Sequence, residues 1–296
     1  MRLFLLPIST RRSLIYCERI AQTVNVSERT YLDRITTKAN ETWVSWEKSD
    51  SKVKKSVTEW GNKVFRRIPF EEWGLKTIPS LSETRRTAEL AGQVRIEVLF
   101  PGQFLKEPKV METLEKLATE RQALHRKRMW WSIVGLPISA PFGLVPVVPN
   151  IPFFYLAFRA YSHWKALSGS QHLQFLVENK LLKPTPSAAL DEMYTAGLIH
   201  PTREKSRAAP YPTREEGEQI AEVIEQQTKE GAEDVMLLKR WNGKLLAERF
   251  KLPGMEVEIE RAVEQVEASM KSREELLKEK RELEQATAKP EEKSKD

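Results

Sequence analysis

Histidine side chains are the groups in this sequence best suited to take up or release a proton near neutral pH. The chain has four: His125, His163, His172 and His200. His163 and His172 follow the end of a long uncharged stretch, a position from which an imidazole could serve proton transfer. Packing at an interface is the more frequent role of such residues, so both interpretations stay open.

Sequence motifs of known catalytic or cofactor sites are missing. Cys17 is the only cysteine, which excludes a disulfide within the chain and a thiolate metal cluster. We find no phosphate-binding glycine loop, dinucleotide fingerprint, zinc-protease pair, EF-hand loop or nucleophile elbow. We therefore expect no enzyme activity, no cofactor and no metal site. A chain without disulfides suits a reducing compartment such as the cytosol or the mitochondrial matrix.

The charge balance is mildly basic. The chain has 296 residues, with 48 Lys and Arg against 42 Asp and Glu, a formal net charge of +6. Such an excess favours an anionic lipid surface or acidic partners. The chain lacks the basic patch with interleaved aromatic residues that is typical of nucleic-acid binding, so we expect no nucleic-acid partner.

One stretch, Met129–Phe158, contains no Asp, Glu, Lys, Arg or His, although 30% of the chain is charged. It is longer than the ~20 residues that a helix needs to cross a bilayer. Aromatic residues mark its ends: Trp130, Trp131, Tyr161 and Trp164. A basic flank surrounds it: Arg121, Arg126, Lys127, Arg128 and Arg159. Aromatic and basic residues at both ends are typical of a membrane-embedded segment.

Prolines divide this apolar segment: Pro137, Pro141, Pro146, Pro149 and Pro152. Each interior proline removes a backbone donor, at a cost of roughly 3 kcal/mol in an ordinary helix. Two membrane arrangements remain, a single kinked span and a re-entrant hairpin. We favour the hairpin because it places both basic flanks and both sets of tryptophans at one interface. A buried hairpin within a soluble helical protein is the third possibility.

The N-terminal residues allow two interpretations. The start of the chain is basic, apolar and rich in hydroxyl side chains, which resembles a mitochondrial targeting segment. The alternative is a β-strand over Arg2–Pro7. A second strand is predicted over Val94–Pro101 from its alternation of apolar and polar residues, and the two strands could pair.

The remaining pattern is mainly helical. A Trp-bearing basic helix is predicted over 27–68, a loop over Pro69–Ser82, one helix from Pro108 to Trp131, and another over Phe153–Leu182 with an interruption near Gly169. The fold class is therefore mainly α, with long helices around the Pro-broken membrane segment or re-entrant hairpin and a small two-stranded β element. We expect a first domain over 1–190, a Pro-rich linker over 191–212, a polar helical region over 213–286 and a disordered tail over 287–296.

Five blocks of sequence carry a resemblance to a known family. They are RLFLLPISTRRSLIYCE (Arg2–Glu18), NETWVSWEKSDSKVKK (Asn40–Lys55), RIPFEEWGLKTIP (Arg67–Pro79), VLFPGQFL (Val98–Leu105) and the run Arg128–Trp164. Over roughly residues 1–190 the chain resembles the fungal mitochondrial potassium–proton exchange-related family. The resemblance implies an inner-membrane protein that K⁺/H⁺ exchange requires, working in an assembly and linked to LETM-type factors. It assigns no transport residues.

The composition of the apolar segment limits what the chain can do alone. A carrier of K⁺ and H⁺ needs acids or histidines at membrane depth, and Tyr155 is the only ionisable side chain in the segment. We therefore expect a component or regulator of an exchanger within an inner-membrane assembly, with homo-oligomerisation open. The alternatives are a membrane-anchored scaffold of other inner-membrane proteins and a soluble helical interaction protein.

Overall fold

The structure is a computed structural model that describes residues 1–18, 67–92, 96–141, 151–231 and 234–288, together with Ser45, Ser51, Thr58, Glu59 and Gly61. The predicted Trp-bearing helix over 27–68 lies almost entirely outside the described residues. The last residues of the predicted disordered tail, 289–296, also lie outside them.

Four strands of the described chain form one sheet. They are β1 (Arg2–Pro7), β2 (Ser13–Glu18), β3 (Ile96–Phe100) and β4 (Leu182–Pro186). Their order is β2-β1-β3-β4; β1 pairs antiparallel with β2, whereas the pairs β1–β3 and β3–β4 are parallel. The predicted pairing of the first strand with the strand near residue 98 is confirmed, with Leu3 opposite Val98. The predicted two-stranded element is thus half of a larger sheet.

Helices make up most of the described residues, as predicted. They are α1 (Phe70–Thr77), α2 (Glu83–Leu90), α3 (Glu107–Thr119), α4 (Gln122–Ser139), α5 (Ile151–Glu178), α6 (Ala188–Ile199), α7 (Arg203–Ala208), α8 (Arg214–Gly231), α9 (Asn242–Phe250) and α10 (Pro253–Ala288). The loop prediction for Pro69–Ser82 is wrong, because this stretch contains α1. The helix predicted from Pro108 is two helices, separated at Glu120 and Arg121.

The sheet is buried on both faces, which explains the continuous apolar run in β1. Leu3 and Leu5 point to one face, where they pack with residues of α3 and α5. Phe4 and Leu6 point to the other face, where they pack with residues of α6, α9 and α10. The alternation of the strand therefore divides one apolar sequence between two cores.

The predicted linker over 191–212 contains regular structure in its first half. Most of α6 lies there, and it buries Tyr194, whose hydroxyl donates to the carbonyl of Pro7 at 3.1 Å. Prolines upstream are compatible with regular structure because β4, with Pro184 and Pro186, is an edge strand. In the polar helical region, the first part of α10 also buries an apolar face on the sheet.

Helices α4 and α5 form an antiparallel hairpin. Gln122 at the start of α4 donates to Gln174 near the end of α5 (2.6 Å), while Gly135 lies against Leu156 near the opposite ends. Among the described helices, none combines the length and the apolar composition needed to cross a bilayer. The antiparallel geometry agrees with a hairpin, which the re-entrant and the buried arrangements both predict, and it does not agree with a single kinked span.

Candidate functional site

The far end of the hairpin, away from the sheet, exposes apolar side chains. We call this surface the apolar tip; it consists of Trp130, Trp131, Val134, Ile138 and Phe154. Trp131 is 67% exposed and Ile138 is 70% exposed. Several exposed large apolar side chains on one pair of helices are typical of a site that contacts a membrane or a protein. The uncharged composition of residues 129–141 and 152–158 therefore does not result from burial in a core.

The predicted prolines lie at the end of the hairpin. Pro137 is inside α4, where the carbonyl one turn earlier lacks the N–H that another residue would supply. Pro141 follows α4 and Pro152 is the second residue of α5; both are exposed. Pro146 and Pro149 belong to 142–150, outside the described residues. The described prolines thus surround the connection between the two helices.

The other predicted aromatic residues lie on α5. Tyr155 is 36% exposed, beside the tip residue Phe154. Trp164 is partly exposed further along α5 and packs with Tyr161 at a ring-centroid distance of 6.0 Å. Amphipathic rings at the edge of an apolar surface are typical of a lipid–water boundary.

The predicted basic flank divides into two groups. The exposed group, which we call the basic collar, consists of Arg126, Lys127 and Arg128 on α4. Arg121 instead pairs with Glu71 of α1 at 2.9 Å. The assignment of Arg159 to an exposed flank is wrong, because its guanidinium is buried against Glu72 of α1.

A buried polar cluster lies beneath the apolar tip, where α1 meets α4 and α5. Arg159 donates to both carboxylate oxygens of Glu72, at 2.9 and 3.2 Å, and Ser162 donates to the same carboxylate at 2.6 Å. A guanidinium nitrogen of Arg159 lies 2.8 Å from Nε2 of His163. Nδ1 of His163 lies 3.1 Å from Nδ1 of His125. The cluster therefore joins both arms of the hairpin to α1.

The hydrogen bonds assign the histidine tautomers. Arg159 can only donate, so Nε2 of His163 must accept. A neutral His163 then carries its hydrogen on Nδ1 and donates it to Nδ1 of His125. The hydrogen of His125 is thereby placed on Nε2, a buried atom with no partner among the described residues.

The environment shifts the pKa values of this cluster in consistent directions. Burial favours a higher pKa for Glu72, but the hydrogen bond from Ser162 and the charges of Arg159 and His163 together lower it. Burial, helped by the neighbouring guanidinium of Arg159, lowers the pKa of His163 to about 4 despite the opposing effect of Glu72. Burial likewise lowers the pKa of His125. At neutral pH the cluster therefore holds one ion pair and two neutral imidazoles.

Glu72, His125 and His163 have ligand atoms within 4.8 Å of one another, as in a metal site. The orientation of His163 argues against a metal. If Nδ1 bound an ion, the ring hydrogen would move to Nε2, where it would face an N–H of Arg159 at 2.8 Å. Both carboxylate oxygens of Glu72 also accept from Arg159 already. We therefore assign the cluster to ion pairing and hydrogen bonding.

Sequence reasoning missed Glu72 and His125 because they come from separate helices. A signal did exist on α5: Arg159, Ser162 and His163 are spaced i, i+3 and i+4, so they share one helix face. Polar residues on one face directly after an apolar run indicate a buried partner. Nothing local identifies that partner as Glu72.

The other histidine considered for a proton role, His172, has a different environment. Its Nε2 lies 3.0 Å from Glu89 of α2, and its Nδ1 lies 2.7 Å from the carbonyl of Pro79. Glu89 is buried together with His172. His172 thus anchors α2 to α5 and does not belong to the cluster.

Comparison with known proteins agrees with the blocks quoted above. The profile of the family described as mitochondrial K⁺-H⁺ exchange-related matches residues 2–177. An uncharacterized protein of Schizosaccharomyces pombe is 30% identical over 207 residues, which cover 68% of this chain and 87% of that protein. An uncharacterized protein of Saccharomyces cerevisiae is 27% identical over 238 residues, covering 71% and 74%. No solved structure matches the chain significantly.

The family match contains the strands β1 to β3, the hairpin up to Val177 and every residue of the buried polar cluster. Its description associates the matched region with mitochondria and with potassium–proton exchange. The chain therefore belongs to the mitochondrial K⁺-H⁺ exchange-related family.

Proposed function

We propose that this protein is a membrane-inserted component of mitochondrial K⁺/H⁺ exchange that works in an assembly at the inner membrane. The observation that carries the proposal is the apolar tip, an exposed uncharged surface in a chain of this family. The hairpin enters one side of the bilayer and returns to the same side. LETM-type factors are the candidate protein partners.

The dimensions of the hairpin support insertion from one side. The uncharged part of α4, from Met129 to Ser139, corresponds to a helix of roughly 16 Å at 1.5 Å per residue. This is about half of the ~30 Å hydrocarbon core. The basic collar then lies at the headgroups, where each basic side chain near an anionic surface contributes about 1 kcal/mol.

The same features argue against a lone carrier. Tyr155 is the only ionisable group of Met129–Phe158, and the charges of the buried polar cluster lie below the tip and neutralise one another. Backbone carbonyls near the prolines could coordinate K⁺ only where neighbouring protein shields them from lipid. The chain is therefore a component or regulator, and it needs partners for ion passage.

Passive swelling of isolated mitochondria in potassium acetate tests the proposal, since swelling requires K⁺ entry in exchange for protons. Mitochondria lacking the protein are compared with those re-expressing it, with the membrane potential monitored. Lost swelling that re-expression restores supports the proposal. Swelling that is equal in both rejects a role in exchange.

A second candidate function is a membrane-anchored scaffold, favoured by the outer part of α10. Leu276 is 62% exposed and Leu277 is 48% exposed there, beyond the part of the helix that packs on the sheet. Deleting the whole polar helical region, 213–286, is a poor test because its residues Ile259 and Val263 belong to the hydrophobic core. Replacing Leu276 and Leu277 by Glu leaves that core intact. If this variant loses partner proteins from the membrane while K⁺/H⁺ exchange is retained, the result favours the scaffold function.

A further inference from the structure

Lys76 of α1 is the unmatched cation in a partly buried group of charges. Glu72 pairs with Arg159, and Glu258 of α10 pairs with Arg261 at 2.6 Å. Each carboxylate thus has its own guanidinium. Within the described residues, no carboxylate lies at salt-bridge distance from Lys76.

The ammonium group of Lys76 instead contacts an aromatic ring and a hydroxyl. Its Nζ lies 3.1 Å from the ring centroid of Trp73 and donates to Oγ of Ser162 at 2.9 Å. Lys76 also lines a cavity of about 570 Å³, together with Tyr16 and Tyr161. This cavity gives the amine a route for proton exchange with water.

Ser162 connects Lys76 to the buried polar cluster. Its hydroxyl donates to Glu72 at 2.6 Å while its oxygen accepts from Lys76. A charged ammonium can only donate, so the serine hydrogen must then point to Glu72. A neutral amine has a lone pair and can accept that hydrogen. The charged ammonium therefore fixes the direction of this hydrogen-bonded chain, whereas a neutral amine allows either direction.

We propose that Lys76 is a proton-binding site that loads and releases its proton through this cavity and transmits the change through Ser162 to Glu72 and the hairpin. Proton release leaves a neutral amine and delivers one proton to water, and uptake reverses this step. The link to potassium–proton exchange rests on the proposed function. The proton site itself does not.

Burial of the Lys76 amine favours its titration near neutral pH. Burial is the main cause that lowers the pKa of Lys76 to about 7; Arg159 and Arg261 lower it further, whereas Glu72 and Glu258 raise it. The charged and titratable groups around the amine and its cavity come from β2, α1, α5 and α10: Glu18, Cys17, Tyr16, Glu72, Arg159, Tyr161, Lys165, Glu258 and Arg261.

Magnetic resonance of the full-length protein labelled with ¹³Cε-lysine, in lipid nanodiscs, tests the site without a transport assay. We expect one lysine signal to titrate with a midpoint near pH 7. The variant Lys76→Met should remove this signal, whereas Lys116→Met, at an exposed position of α3, should retain it. A signal that Lys76→Met removes but that titrates above about pH 9, close to an ordinary lysine, overturns the proposal.

Potassium acetate swelling at different matrix pH values tests the functional consequence. The charged fraction of a group with a pKa of about 7 changes about tenfold between about pH 6 and about pH 8. We expect the swelling rate to follow this change in the wild type and in Lys116→Met, and to lose it in Lys76→Met. An unaltered pH profile in Lys76→Met rejects the coupling.

The two assays separate the two proposals. If swelling does not need the protein but the Lys76 signal titrates near neutral pH, the proton site stands and the exchange function fails. If swelling needs the protein but Lys76 titrates as an ordinary lysine, the exchange function stands and the proton site fails.

Discussion

The two halves of the hairpin reverse the usual distribution of residues in a water-soluble protein. At the tip, tryptophan and isoleucine side chains are exposed. The other half, which we call the base, is the part of the hairpin that packs against α1. There a guanidinium and two imidazoles of the hairpin are buried with a carboxylate of α1. Yet both halves belong to the same pair of helices. His163 of α5 is only 2% exposed, whereas Ile138 of α4 is 70% exposed.

This contrast indicates that the two halves meet different surroundings. Contact with water alone accounts neither for the exposure of apolar side chains at the tip nor for the absence of charged residues over Met129–Phe158. The lipid insertion proposed above accounts for both, and it is consistent with charges that hold the hairpin to α1 below the tip and are matched in pairs. The base keeps the arms together, so the tip is free to contact an apolar medium.

Removing one partner of the buried ion pair should have the largest effect. Arg159→Met leaves the Glu72 carboxylate buried and unmatched, which typically costs about 3–5 kcal/mol of unfolding free energy. Chemical denaturation of the purified protein measures this. The exposed Arg126→Met on the same hairpin is the matched control and should change stability by less than about 0.5 kcal/mol. Equal effects of the two variants contradict the assignment of the base as an ion-pair anchor.

A charge placed in the tip should have the next largest effect, on membrane insertion. Ile138→Arg is expected to disfavour insertion by about 2.5–3.5 kcal/mol, the typical value for a basic residue at membrane depth. The protein should then become extractable with alkaline carbonate. Tyr211→Arg, at a position of similar exposure outside the hairpin, should remain in the membrane pellet. Retention of Ile138→Arg in the pellet speaks against a membrane-facing tip.

Acid should weaken the base through its histidines. Because the folded pKa of His163 is lowered from 6.5 to about 4, the unfolded chain binds the extra proton first as the pH falls. The free energy of unfolding should therefore decrease between about pH 6.5 and about pH 4, by roughly 1 kcal/mol per pH unit. His125 contributes in the same direction. Denaturation at several pH values should give a shallower slope for His163→Gln, and an identical slope contradicts a neutral buried imidazole.

Two glycines of the hairpin allow the packing of its base and of its tip to be compared, with the smallest expected difference in stability. A Cβ at Gly169, in the base, would lie within van der Waals overlap of the backbone carbonyl of Leu75, which must then move. A Cβ at Gly135, near the tip, would meet only the flexible end of Leu156, at 2.9 Å. We expect Gly169→Ala to cost about 1–3 kcal/mol and Gly135→Ala to be near neutral. Thermal unfolding of the two variants measures the difference, and equal values contradict tight packing at the base.

Local periodicity predicts much of this fold. Alternation identifies the strand near Val98, and the apolar start of the chain identifies the strand Arg2–Pro7. The uncharged composition of Met129–Phe158, divided by prolines, indicates two helices with a break between them. Each of these features depends on neighbouring residues, so the sequence contains the information needed to predict it.

The base of the hairpin depends on contacts between distant residues. Gly74 suggests a break in helical structure, but it lies within α1. There the carbonyl oxygen of Ile15 lies so close to Gly74 that a Cβ at this position would overlap with it. Gly169 likewise belongs to a continuous α5, where it makes room for α1. Glu72 and His125 acquire their roles only when three helices meet. Such roles follow from packing, and no local pattern specifies them.

The sheet unites the two ends of the described chain, and this has a consequence for biosynthesis. Strand β1 lies between β2 and β3, and its Phe4 and Leu6 share a core with Ile259 and Val263 of α10. Parallel pairing and contacts between such distant residues form slowly. The hairpin can fold early from local contacts. The packing of β1 against α10, in contrast, can form only once nearly the whole chain has been synthesised. A substitution that disrupts the packing of β1 against α10 should therefore expose the chain to proteases and lower its abundance.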